Sequence, residues 1–173
     1  MTNDQDAIVW FRMALADIDR ILRSFQAKDY SDCVFRIQFC SEKILKGLIL
    51  LYGAQFKKIH TPSLIIRDEI LQVSSKLSKI EIKNLEKLID NAKILEDLST
   101  IPRYGIDDKG KFIEPEAIYK EENSVILIIP NILNILNSFI EILTELKQNN
   151  VWKKIMEDFK NEVKRLQSLI NKK

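Results

Sequence analysis

Apolar side chains recur three and four residues apart through most of the chain, and that spacing dictates helices. Phe11, Leu15, Ile18, Leu22 and Phe25 share one face of a helix predicted over 4–26. Cys33, Ile37, Cys40, Ile44, Leu48 and Leu51 do the same over 30–52, and Leu85, Leu88, Ile89, Ala92 and Leu95 over 79–97. Trp152, Ile155, Phe159, Val163, Leu166 and Ile170 draw a last stripe over 151–171. Four glycines and four prolines are too few for the tight turns of a β-sandwich or barrel. The expected fold is therefore all-α: an up-and-down antiparallel bundle of about five helices plus an extra C-terminal amphipathic helix. At 173 residues the chain is long enough to bury one such core. The bundle is assigned to 1–148, and a basic helix over 149–173 packs on it or extends it.

Local signals place the ends. Thr2 with Gln5, and Ser78 with Glu81, have the spacing of a capping box. Asp29 or Ser31 caps the second helix, and Gly53 suits the left-handed residue that closes it. Gly47 inside that helix costs about 1 kcal/mol against Ala, which predicts a close helix–helix approach there. Thr61-Pro62 reads as a cap and first-turn proline, opening a third helix to about 74. Residues 99–115 hold two glycines and two prolines and form the predicted irregular stretch, with a turn at Asp107-Asp108-Lys109-Gly110. A fifth helix over 116–148 is expected to kink at Pro130, and Asn149-Asn150 to cap the sixth.

The run 123–140 carries no charge and approaches the roughly 20 residues of a bilayer span. Pro130 and a polar stripe of Asn131, Asn134 and Asn137 point instead to a buried core helix and no membrane partner. A formal net charge of +2 argues against a dedicated DNA-binding domain. The basic excess is confined to residues 151–173, where seven Lys or Arg face three Asp or Glu. Cys33 and Cys40 lie two helical turns apart, about 10 Å along the axis, beyond the roughly 7 Å that a disulfide spans. Small buried thiols and an opening MTNDQDAIVW with no secretory pattern fit a reducing, cytoplasmic compartment.

His60 is the sole histidine, and there is no metal-ligand spacing, glycine-rich phosphate loop or nucleophile elbow. No catalytic group, metal or cofactor is expected. Two features stand out. Gln38, Glu42 and Lys46 repeat every four residues beside Lys43, forming a polar ribbon that is either a solvated ion pair or the wall of a site. Ile101-Pro102-Arg103-Tyr104-Gly105 makes a stiff corner from which a guanidinium and a ring project. Such a corner either caps helix-end carbonyls and closes the core, or holds a phosphate and stacks on a base.

The order of these motifs resembles a known family. Ala14 and Asp17-Ile18 lie on an opening helix. Gln38-x3-Glu42-Lys43-x2-Lys46, Gly53, His60 before a helix and the Arg103-Tyr104 corner follow. Over residues 7–147 this is similar to the HEPN domain (higher eukaryotes and prokaryotes nucleotide-binding) in its stand-alone archaeal and bacterial form. The resemblance implies a homodimeric helical bundle that binds a nucleotide such as ATP or GTP, or a partner minimal nucleotidyltransferase, without catalysis. Gln38, Glu42, Lys43, Lys46, Arg103 and Tyr104 are the implied binding residues. The alternative it implies is a divergent ribonuclease or toxin acting on RNA. Gly105 stands where the family usually has Pro, and Thr61-Pro62 replace its Asp-Leu. No Arg precedes His60 by the four to six residues that ribonuclease members use, so the expected acid–base histidine is missing.

Overall fold

Three residues, Ala27–Asp29, join α1 (Asn3–Gln26) to α2 (Tyr30–Leu51), so the two long helices must lie antiparallel. Lys28 adopts the left-handed conformation, and the Lys28 and Asp29 amides donate back to Phe25 and Ser24 carbonyls to close α1. The Asp29 carboxylate accepts the Asp32 amide and caps α2. The molecule is seen in a computed structural model that describes residues 3–55, 61–73, 75–98, 100–146 and 149–171. Thr2 and His60 lie outside the described residues.

The α1–α2 packing is the most extensive in the molecule. Gly47 makes it possible: a Cβ there would stand 2.2 Å from Cε1 of Phe11. Phe11 cannot yield, because its ring lies 4.6 Å from Phe139 and 6.0 Å from Trp152 between centroids. The close approach predicted from a helical glycine is found.

Past α2, Gly53 takes the left-handed conformation expected of it. Helix α3 (Pro62–Ile65) starts at the expected proline, but Thr61 makes no side-chain cap bond. The segment continues as a π-helical turn over Ile66–Leu71 and stops short of the predicted end. Helix α4 (Lys79–Glu96) opens with the full reciprocal box between Ser78 and Glu81. Glu81 also accepts the Tyr52 hydroxyl at 3.0 Å, tying the end of α2 to the start of α4.

Two expectations are corrected. Of the stretch 99–115, the described residues 100–115 are not irregular: they hold α5 (Ile101–Tyr104) and a hairpin of β1 (Ile106–Asp108) and β2 (Lys111–Ile113). The hairpin is antiparallel, with Asp107 opposite Phe112, and the predicted turn closes it through the Gly110 amide on Asp107 Oδ1. Nor is 116–148 one kinked helix. It divides into α6 (Pro115–Ile118), α7 (Glu122–Ile126) and α8 (Ile129–Leu146). Glu121 is extended, and Pro130 falls in the first turn of α8, where a missing amide hydrogen costs nothing.

Helix α8 carries the apolar run, and Ile132, Ile135, Leu136, Phe139, Ile142 and Leu143 are buried in the core. The segment Glu122–Leu146, α7 and α8 together, is long and apolar enough to suit a membrane span, but the buried residues of α8 already pack into the core. Helix α9 (Asn150–Ile170) is capped by Asn149 through the Val151 and Trp152 amides. Its stripe faces α8 and α1, with Phe159 4.9 Å from Phe139. The fold is all-α apart from the small hairpin.

Candidate functional site

The polar ribbon on α2 divides as it meets its neighbours. Successive ribbon positions advance four residues, slightly more than one turn, so Gln38, Glu42 and Lys46 share a face while Lys43 points about 100° away. That turn carries Lys43 onto α1, where its ammonium pairs with Asp17. Asp17 is fully buried and also accepts Arg20 Nη1 at 2.7 Å, with Arg36 Nη1 at 3.8 Å. Lys46 pairs with Glu42 and lies 5.2 Å from the centre of the Trp10 ring.

Gln38 and Glu42 face a cavity of about 230 Å³. Phe35 and Phe39, one turn apart on α2 with centroids 4.4 Å apart, form its aromatic wall. Thr61 before α3, Glu96 at the end of α4, and Thr100, Arg103 and Tyr104 from the α5 corner complete the lining. Thus the structure brings Gln38, Glu42, Arg103 and Tyr104 together, links Lys46 to them through its pair with Glu42, and turns Lys43 onto α1.

The corner has a physical cause. Pro102 is buried, α5 lasts a single turn, and Gly105 (φ 73°) reverses the chain at a point where a Cβ would lie 2.1 Å from the Ile113 carbonyl oxygen. The chain therefore projects Arg103 and Tyr104 outward; both are exposed. The Arg103 guanidinium carbon lies 5.5 Å from the centre of the Phe35 ring and 5.0 Å from that of Tyr104. Both rings lie within cation–π reach of the guanidinium. Among the described residues its N–H edge takes no hydrogen-bond or ion-pair partner. A planar cation supported in this way presents a donor fork suited to a phosphate or carboxylate.

Glu96, Phe35 and Phe39 were not singled out by the sequence reading. Phe35 and Phe39 carry a legible signal, two rings at helical spacing beside the polar ribbon. Glu96 carries none. Its Oε1 accepts the Ser63 amide at 3.0 Å and its Oε2 the Ser63 hydroxyl. Burial holds its pKa above the ordinary carboxylate value, Ser63's two bonds oppose that shift, and Asp97 and Glu42 reinforce it. Among the described residues no three His, Cys, Asp or Glu side chains are grouped to hold a metal.

An all-α module with a compact aromatic cavity and a supported guanidinium at its rim is what the fold and the site define. A family model, the HEPN domain, matches residues 7–129, and the chain belongs to the HEPN family. It is 26% identical over 148 residues to a Methanocaldococcus jannaschii protein named "Putative toxin MJ1304", a match covering 84% of this chain and 95% of that one. No solved structure matched.

Proposed function

We propose that this HEPN module binds a nucleotide without transforming it, stacking the base within the cavity and holding a phosphate on Arg103. The observation that carries the reading is the exposed Arg103 guanidinium, within cation–π reach of Phe35 and Tyr104 and with no hydrogen-bond or ion-pair partner among the described residues. Among the described residues the lining holds two carboxylates, Glu42 and Glu96, against one cation, so dense negative charge is a poor match. The volume is also below the roughly 300–1,000 Å³ of drug-sized sites. Both points favour recognition of one base and one phosphate, with the rest of an ATP or GTP in solvent. Calorimetry at millimolar ATP, GTP and their monophosphates tests this. Binding that weakens at least about tenfold in Arg103→Ala supports it, and no heat with any nucleotide removes it. A homodimeric state and a nucleotidyltransferase partner, both implied by the family, are read by light scattering and by co-purification from the native cell.

A second reading, a divergent RNA-cleaving toxin, is favoured by the name of the archaeal relative. It would need Glu42 or Glu96 to replace the absent acid–base histidine beside Arg103. Intact tRNA and total RNA after incubation across pH would leave it without support.

A further inference from the structure

Two sequence features stand apart from the aromatic cavity: the asparagine stripe of α8 and the basic excess of α9. They meet in an open trough of about 510 Å³ that lies over α8 between α4 and α9. Asn131 of the stripe donates to the Ile128 carbonyl, and Asn134 donates to Asn91 Oδ1 on α4. Asn137 differs: it is half-buried in the trough and takes no hydrogen-bond partner among the described residues. Lys87 of α4 lines one wall, and Lys160 and Lys164 of α9 line the other. All three lysines are exposed, and none has an ion-pair partner among the described residues. Glu141 is the one carboxylate in the described lining, so three cations face one anion. The acidic residues of α4 lie elsewhere, where Glu86 and Asp90 line a separate hollow with Arg67 and Lys93.

We propose that this trough binds the phosphodiester backbone of a single-stranded nucleic acid, independently of the nucleotide cavity. Lys160 and Lys164 stand about one turn apart, with Cβ atoms roughly 5–6 Å from each other, and Lys87 faces them from the opposite wall. Point charges spread along and across an open trough suit a chain of phosphates. A single phosphate is better held by a guanidinium fork, and the described lining has none. Asn137 adds a neutral amide donor for a phosphate oxygen. The described lining has no aromatic ring either, so bases find no stacking platform and only the backbone is recognised. An acidic helix is a poorer occupant, because it needs holes for apolar anchors. Ile140 and Val163 are the apolar residues of the lining, and they are only 9% and 6% exposed. Packed helix axes lie about 8–10 Å apart, so α4 and α9 flank α8 at a separation of roughly 20 Å at most. Side chains fill much of that width, which leaves room for one strand rather than a duplex. Every lining residue except Lys87 lies beyond residue 129, outside the stretch that the family model matches.

Fluorescence anisotropy with a labelled oligouridine of about 15 nucleotides, between about 50 and 200 mM salt, tests the proposal. Three phosphate contacts predict a slope of log K against log salt near about −2 for the unaltered protein. Replacing Lys87, Lys160 and Lys164 together by Gln should weaken binding at least about tenfold at the lowest salt and bring the slope close to zero. These side chains are exposed, so the urea midpoint should stay where it was. Gln at Lys76, Lys111 and Lys120, three exposed lysines away from the trough, should leave affinity within about twofold. Equal weakening by the two triple variants would show that binding follows net charge, and it overturns the proposal. So does loss of the strand in Arg103→Ala with no loss in the trough variant, which places the strand at the cavity. Displacement of oligouridine by oligoglutamate of equal charge makes an acidic polypeptide the better occupant, and tighter binding of a duplex of the same length excludes a single-strand site. No binding of oligouridine at the lowest salt also overturns the proposal. Calorimetry with mononucleotides reads the cavity separately, so either site can fail while the other stands.

Discussion

Helix α2 presents cations and rings on two sides, and the two sides have opposite character. On the side facing α1, one fully buried carboxylate, Asp17, is surrounded by Arg20, Arg36 and Lys43. The thiols of Cys40 and Cys33 point to the carbonyls of Ala14 and Ile21 in the same seam, and burial pushes the Cys33 thiol up to about 12. On the side facing α5, Glu96 and Arg103 are held by neutral groups and rings around open volume. Charges satisfied by opposite charges in a packed seam hold helices together. Charges held by neutral partners beside a cavity keep interaction capacity for something else. Neighbouring motif residues serve both ends: Lys43 belongs to the seam and Glu42 to the cavity.

The largest expected effect falls on the seam. Asp17→Ala removes the fully buried anion and leaves Lys43, only 12% exposed, without a counter-charge among the described residues. Breaking a buried pair from one side costs about 3–5 kcal/mol, to be read as a lower urea midpoint at unchanged slope. If Asp17→Ala unfolds at the original midpoint, the seam is not a structural element and the contrast fails. Adding Lys43→Met should recover part of the loss, since an apolar residue of similar length leaves no stranded charge.

Next comes Gly47→Ala. Overpacking costs about 1–3 kcal/mol where the neighbour cannot move, and Phe11 is wedged between Phe139 and Trp152. Ala returns up to about 1 kcal/mol in helix propensity. A net fall in melting temperature is expected, and a rise would mean that the seam is looser than its geometry implies. Glu42→Gln lies on the border between the two sides. It leaves Lys46 short of a partner at a partly exposed site, so a loss of about 1 kcal/mol or less is expected in the same unfolding measurement.

Much of this division was legible in advance, for definite reasons. The Ser78–Glu81 box and the stripe of α9 follow from local spacing and needed no tertiary information. The ribbon Gln38, Glu42, Lys46 was readable for the same reason. That Lys43 would find Asp17 was not, because the pairing depends on the register between α1 and α2. Glu96 was invisible because it enters the cavity through Ser63, 33 residues earlier in the chain. The breaks that divide 116–148 lie at Tyr119–Glu121 and Leu127–Ile128, segments with no glycine or proline to mark them. The hairpin strands are three residues each, too short for an alternating pattern to appear.

The smallest effect on stability is expected at the residue most important to function. Arg103 is exposed and its partners are the faces of two rings, so Arg103→Ala should change unfolding free energy by no more than about 0.5–1 kcal/mol. Nucleotide affinity should nevertheless fall at least tenfold, because a phosphate loses the only guanidinium donor among the described residues of the cavity lining. Arg103→Lys separates charge from shape: an ammonium keeps the charge but loses the planar fork. Recovery of less than about a third of the lost affinity would show that the fork matters more than the charge. Full recovery by Lys would reduce Arg103 to a point charge. A large loss of stability in Arg103→Ala would move the residue to the structural side of α2, and the contrast between seam and cavity would then rest on Glu96 alone.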